Sequence, residues 1–147
     1  MNERYIRQTM IPEIGEAGQE KLKNAKVLIV GIGGLGSPIS LYLTAAGVGQ
    51  IGLIDDDIVS KSNLQRQILY TEAEIGQSKV ECACRRLSAL NSSTRFETYP
   101  NRFTPDNANQ LVSAYDIIVD GCDNAATRYL IDDVCSRFKK PLSLIHI

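Results

Sequence analysis

Apolar residues gather in short continuous runs: KVLIV at 26–30, QIGLID at 50–55 and DIIVD at 116–120. Runs of this length, rich in β-branched side chains, predict strands covered on both faces, as in a parallel sheet. RFETY at 95–99 alternates like a strand, and PLSLIHI at 141–147 reads as one more. Between them, apolar residues recur at helical spacing over 14–24, 37–47, 77–90, 105 to about 113, and 125–138. Pro38 near the first turn and Gly47 as a stop bracket the second of these helices, and Pro105 opens the fourth. The stretch DDIVSKSNLQRQILY at 56–70 shows no clean period and is long for a strand-to-helix connection. Alternating strands and helices predict an α/β fold: a Rossmann-like, doubly wound, mainly parallel sheet with helices on both faces.

The chain has 147 residues with a formal net charge of −1, 44% hydrophobic and 22% charged positions. That length suits one domain, or part of a larger one. A near-neutral balance argues against general attraction to nucleic acid or to an anionic membrane. No apolar run is long enough to span a bilayer. The start, MNERYIRQ, carries no apolar signal core, so a cytoplasmic location is expected. Cys82, Cys84, Cys122 and Cys135 form no C-x-x-C pair, and His146 is the only histidine, which argues against a zinc site within residues 1–147. Cys82 and Cys84 lie two apart in a helical pattern, so they are expected on different faces as small thiols in a reducing compartment. The last strand stops without a turn, from which we expect residues 1–147 to be a fragment, with residues 142–147 open to being non-native.

Gly31, Gly33 and Gly36 form G-x-G-x-x-G directly after a strand and before a helix. Glycines there permit a tight turn and close approach of backbone to phosphate, and the helix start offers free N–H groups. Asp55 comes 19 residues after Gly36 at the end of the second strand, where a carboxylate grips a ribose hydroxyl. The bland alternative is a glycine turn needed only for helix–strand packing. No G-K-[ST] is present, so this is not a P-loop. The fingerprint alone also serves NAD(P)-binding oxidoreductases. The residues after the second strand instead supply cations, Arg66 in SNLQRQ and Lys79 in GQSK, with Arg7 in RYIRQ near the start. Cations beside a glycine loop suit a triphosphate. Asp123, just past the third apolar strand, reads as a Mg²⁺ ligand among them. Asn63 and Asn124 can bond sugar or phosphate oxygens, although Asn124 can equally cap the helix that starts at 125.

RYIRQ, GIGGLGSP, LIDDDIVSKSNLQRQ, GQSK and GCDN occur here in the order found in the ThiF/MoeB/HesA adenylyltransferases. The chain resembles that family from Arg4 to about Pro141, most nearly its thiamine-pathway member. SNLQRQ after D-x-D is far more specific than the glycine loop. The resemblance implies ATP-dependent adenylation of the C-terminal Gly-Gly carboxylate of a ubiquitin-like sulfur carrier protein, with release of pyrophosphate. It implies ATP and Mg²⁺ as cofactors and a homodimer. It assigns the nucleotide to Gly31, Gly33, Gly34 and Gly36, to Asp55 and Asp57, and to the run Ser62, Asn63, Leu64, Gln65, Arg66 and Gln67, with Lys79, Asp123 and Asn124. Arg7, Arg66, Lys79 and Asp123 would be catalytic, Asp123 as the metal ligand and Arg7 acting from the neighbouring subunit. Relatives continue past Lys140–Pro141 with a carrier-binding region and often a zinc site, so both are expected only beyond residue 147. Competing readings are a non-catalytic nucleotide-binding or dimerisation relative, a tRNA-base dehydratase with the same adenylation core, and an NAD(P)-binding oxidoreductase domain.

Overall fold

The computed structural model describes residues 3–144. Five strands form one sheet: β1 Lys26–Val30, β2 Gln50–Ile54, β3 Arg95–Tyr99, β4 Ile117–Asp120 and β5 Leu142–Leu144. Their order is β3-β2-β1-β4-β5, and every pairing is parallel. The helices are α1 Ile6–Thr9, α2 Gly15–Asn24, α3 Gly36–Ala46, α4 Lys79–Leu90, α5 Pro105–Ala114 and α6 Ala125–Phe138. The sheet grows from β1 through β2 to β3, then the chain crosses back to place β4 on the other side of β1. The switch point therefore lies between the carboxyl ends of β1 and β4, where open α/β sheets bind ligands. Among the described residues, no helix is long and apolar enough to cross a membrane.

The continuous apolar runs are explained by burial on both faces. Val27, Ile29, Ile51, Leu53 and Val119 share one cluster with Val80, Ala83 and Leu87 of α4 and with Ile39 and Leu43 of α3. Leu28, Val30, Ile54 and Ile118 alternate onto the other face, against Ala108, Leu111 and Val112 of α5 and Ile131 and Val134 of α6. Each such side chain contributes about 1.5–3 kcal/mol on burial. Cys82 is buried while Cys84 is half-exposed, and all four cysteines are free thiols.

Three features lie outside what periodicity predicts. The segment 56–78 is ordered by two short 3₁₀ turns, Lys61–Asn63 and Glu72–Glu74, each closed by a capping box, and by an antiparallel bridge from Ile58 to Ser78. The N-terminal segment winds into α1 and is anchored by buried Tyr5, whose hydroxyl accepts a 2.8 Å bond from Asn91 Nδ2. Tyr5 packs on Gly47, which ends α3 at φ +89°, a conformation and a closeness that only glycine allows. The final strand spans Leu142–Leu144, and the expected remainder at 145–147 lies outside the described residues.

On the α5/α6 face, Gly52 of β2 leaves the space that Tyr115 fills. A Cβ there would stand 2.5 Å from Tyr115 Cζ and 2.9 Å from Leu28 Cδ1. Tyr115 is 1% exposed and cannot swing away. Gly52→Ala is therefore expected to destabilise the fold by about 1–3 kcal/mol through overpacking, read as a lowered urea midpoint with unchanged m-value.

Candidate functional site

A cleft of about 1290 Å³ opens at the carboxyl edge of the sheet, across the ends of β1, β2 and β4. Its floor is backbone. Gly31 stands at φ +89°, and a Cβ on it would lie 2.8 Å from the Gly121 carbonyl oxygen; a Cβ on Gly121 would lie 2.7 Å from the Gly31 carbonyl oxygen. A Cβ on Gly36 would drive into the same Gly31 carbonyl. The glycine loop, the start of α3 and the β4 exit thus touch main chain to main chain. Gly31, Gly33 and Gly34 line the cleft, while Gly36 is buried beneath it as the packing glycine.

Asp55 ends β2 half-buried. Its Oδ2 accepts from Ile32 N at 2.7 Å and its Oδ1 from Asp57 N at 2.9 Å. The carboxylate that sequence assigns to a ribose therefore also holds the glycine loop in place. Asp55, Asp56 and Asp57 bring carboxylate oxygens within 4.8 Å of one another. Each is already engaged: Asp55 by those backbone groups, Asp56 by Arg102 Nε at 2.9 Å, and Asp57 by Lys79 Nζ at 2.9 Å. Lys79 is 4% exposed, so its buried ammonium depends on that partner.

The segment carrying Arg66 folds back along the glycine loop. Asn63 Oδ1 accepts from Ser60 N at 3.1 Å, which closes the turn and leaves the amide nitrogen as the end available to a ligand. Arg66 reaches the cleft beside Gly34 and donates to the Ser62 carbonyl at 3.1 Å. Gln67 is 4% exposed, lines the cleft beneath Gly33, and its side-chain oxygen has no partner among the described residues. Ser62, Leu64 and Gln65 do not line the cleft. Ser62 shares a hydroxyl contact with Ser60, Leu64 packs against the core, and Gln65 is exposed.

On the opposite wall, Asp120 is fully buried and is held by two donors. Its Oδ1 accepts from Cys122 N at 2.9 Å and its Oδ2 from Arg128 Nε at 3.0 Å, while Arg128 also donates to the Cys122 carbonyl at 3.1 Å. Asn124 caps α6 by accepting from Thr127 N at 2.9 Å, while also lining the cleft. Asp123 extends into the cleft, exposed, with no hydrogen bond or ion pair to the described residues. Cys122 also lines it, but burial, then the hydrogen bond and charge of Asp120, push its thiol up to about 11. It stays protonated at neutral pH and is a poor nucleophile.

Arg7 does not join this cleft. Gln8, its neighbour on α1, bonds the Ala46 carbonyl at 3.0 Å, which ties α1 to the far end of α3. That end is about 16 Å from the glycine loop by the helical rise. Sequence reasoning passed over Arg102, Phe103 and Arg128, which line the cleft, and Asp120, which supports it. An Arg eight positions after a strand-end Asp, one helical turn into α6, was the signal available for the Asp120–Arg128 pair.

A glycine floor at the switch point of a parallel sheet, with cations and carboxylates around it, defines a Rossmann-like, doubly wound α/β domain. The ThiF family model matches residues 5–144, and the chain belongs to that family. It is 49% identical over 140 residues to the sulfur carrier protein adenylyltransferase of Thermus thermophilus, covering 95% of this chain and 52% of that protein. It is 52% identical over 139 residues to the adenylyltransferase and sulfurtransferase MOCS3 of Culex quinquefasciatus, covering 95% of this chain and 32% of that protein. The crystal structure of the E. coli tRNA N6-threonylcarbamoyladenosine dehydratase TcdA in complex with ATP aligns with a TM-score of 0.91 at 31% identity, over 97% of this chain and 58% of that one. The chain thus spans about half the length of the first relative and a third of the second.

Two outcomes are expected from this geometry. Arg128→Met, which leaves Asp120 buried without its cation, is expected to cost about 2–3 kcal/mol, measured by chemical denaturation. Cys122→Ser is expected to leave nucleotide binding within about twofold, because the thiol neither ionises nor makes a strong bond there; calorimetric titration with ATP checks it.

Proposed function

We propose that the protein of which this chain forms the nucleotide-binding part is an ATP-dependent adenylyltransferase acting on the C-terminal Gly-Gly carboxylate of a ubiquitin-like sulfur carrier, of the kind used in thiamine or molybdopterin biosynthesis. The observation that carries this reading is the convergence of Arg66, Lys79 and Asp123 on the glycine loop within one cleft. The carrier carboxylate would attack the α-phosphate, forming the acyl–O–P bond as the bond to the β-phosphate breaks. The products would be carrier acyl-adenylate and pyrophosphate. The attacking carboxylate is ionised at neutral pH, so no general base is required. Position and charge carry the step.

In this reading the loop N–H groups receive the phosphates, Asp55 holds the ribose, and Asn63, Arg66 and Lys79 meet the charge that grows on the leaving pyrophosphate. Charge also bears on the cofactor. Arg66, Lys79, Arg102 and Arg128 face Asp55, Asp56, Asp57 and Asp123, four of each sign. A nearly neutral cleft needs added cations to hold a ligand with roughly four negative charges. Asp123 fits Mg²⁺, which binds through one or two carboxylates plus phosphates and keeps several waters; each carboxylate of the Asp55–Asp57 group already has at least one oxygen engaged, by backbone N–H, Arg102 or Lys79. Bound there, the ion would neutralise phosphate charge. The second added cation would be Arg7 of another copy in a homodimer, a reading supported by the anchoring of α1 at the far end of α3, away from the cleft of its own chain. Four free thiols suit a reducing compartment, and we place the protein in the cytoplasm.

ATP–pyrophosphate exchange on the intact protein, with and without a Gly-Gly-ended carrier, tests the reading. Carrier-dependent exchange is expected; ATP binding without exchange overturns it and favours a different acceptor, such as a modified tRNA base, or a non-catalytic relative. Asp123→Asn is expected to lower exchange by about 100-fold or more with an unchanged melting temperature. Arg7→Ala and Arg66→Ala chains are each expected to be inactive alone. Mixed one to one, they are expected to regain about a quarter of wild-type exchange if each site is shared across a twofold interface.

A further inference from the structure

The segment after Arg66 does more than deliver a cation. It runs beside the glycine loop and meets it residue by residue. The place of a Gly34 Cβ lies 3.7 Å from Arg66 Cδ, and that of a Gly33 Cβ lies 3.4 Å from Gln67 Nε2. The third contact is a bond: the Tyr70 hydroxyl donates to the Ile32 carbonyl at 2.6 Å. Tyr70 is 5% exposed, does not line the cleft, and its own N–H bonds the Gln67 carbonyl at 3.2 Å. Ile32 is held from the other side by Asp55 Oδ2 at 2.7 Å.

We propose that Tyr70 is a positioning residue of the nucleotide site, the point at which the segment bearing Arg66 and Gln67 is bolted to the glycine loop. Through it, the loop N–H groups and the Arg66 guanidinium keep one mutual geometry. A phosphate chain that touches both must meet them at a single spacing, so a loose loop weakens binding even when every ligand-touching side chain is present. The phenol is suited to the task. Burial, and then the nearby Asp55 carboxylate, hold it far above its ordinary ionisation range, so it remains a donor across working pH. This inference rests on the reading of the cleft as a nucleotide site.

Tyr70→Phe in the intact protein removes the bond and keeps the ring. Thr94→Val is the matched control: it deletes another buried bond from side chain to carbonyl, Thr94 Oγ1 to Val48 at 2.9 Å, remote from the cleft. Amide hydrogen exchange and calorimetric ATP titration are run on both variants and on wild type. Tyr70→Phe is expected to speed exchange across 31–36 and to raise the ATP dissociation constant about five- to tenfold. Saturating ATP should return the pyrophosphate-exchange rate to near the wild-type value. Thermal melting is expected to show both variants lowered by a similar amount, with ATP affinity unchanged in Thr94→Val.

Unaltered exchange at 31–36 in Tyr70→Phe overturns the bolt itself, independently of any ligand. Faster exchange with unchanged ATP affinity overturns its bearing on the site. Equal loss of affinity in both variants reduces the effect to general stability and also overturns it. Wild-type protein that binds no ATP removes the nucleotide reading first, and the proposal with it.

Discussion

Everything at the ligand edge depends on three backbone segments touching with nothing between them. Gly31 ends the first strand, Gly121 ends the fourth, and Gly36 starts α3; a single Cβ on any of them would strike a carbonyl of another. Main-chain contact at the switch point removes side chains from the floor of the cleft. Side chains with chemistry must then come from the rims. They do: Arg66 from the long segment after β2, Lys79 from the start of α4, Asp123 from the turn after β4.

The rims are held by groups that also line the cleft. Asp55 bonds the loop it shares the cleft with, Asn63 closes the turn that presents Arg66, and Asn124 caps the helix behind Asp123. The structural role is thus realised at each of these residues, and each also lines the cleft. Asp120 supports the opposite wall from complete burial, satisfied by one backbone N–H and one guanidinium. A buried carboxylate with those partners is stable, and its bond to Cys122 N ties down the turn that carries Asp123.

Charge in the cleft is balanced within the chain itself. Lys79 with Asp57, Arg102 with Asp56 and Arg128 with Asp120 are pairs, so among the described residues no isolated buried charge has to be tolerated. The cost of that balance is weak attraction for a highly anionic ligand, which is why added positive charge enters the functional reading.

Much of this was written in the order of residues. Burial on both sides made β1, β2 and β4 continuous apolar runs, and the loop between β1 and α3 announced itself by glycine spacing, because both effects are local. SNLQRQ and GCDN marked the cleft-facing segments by their chemistry. What remained hidden was non-local. The aperiodic run at 56–70 shows no pattern because its order comes from capping turns and from lying against the glycine loop. Arg102 gave no sign of reaching Asp56, 46 positions earlier, since only the parallel pairing of β2 with β3 brings their ends together. By residue type Arg7 read as one of a group of phosphate-binding cations, and the family resemblance alone put it on a neighbouring subunit; the anchoring of α1 at the far end of α3 holds it away from the cleft of its own chain. The sequence by itself determined the strands, the glycine turn and the kinds of side chain at the sheet's edge, because those depend on backbone sterics and local period. Which of them meet, and which carboxylate is left without a partner, was decided by the packing of distant segments.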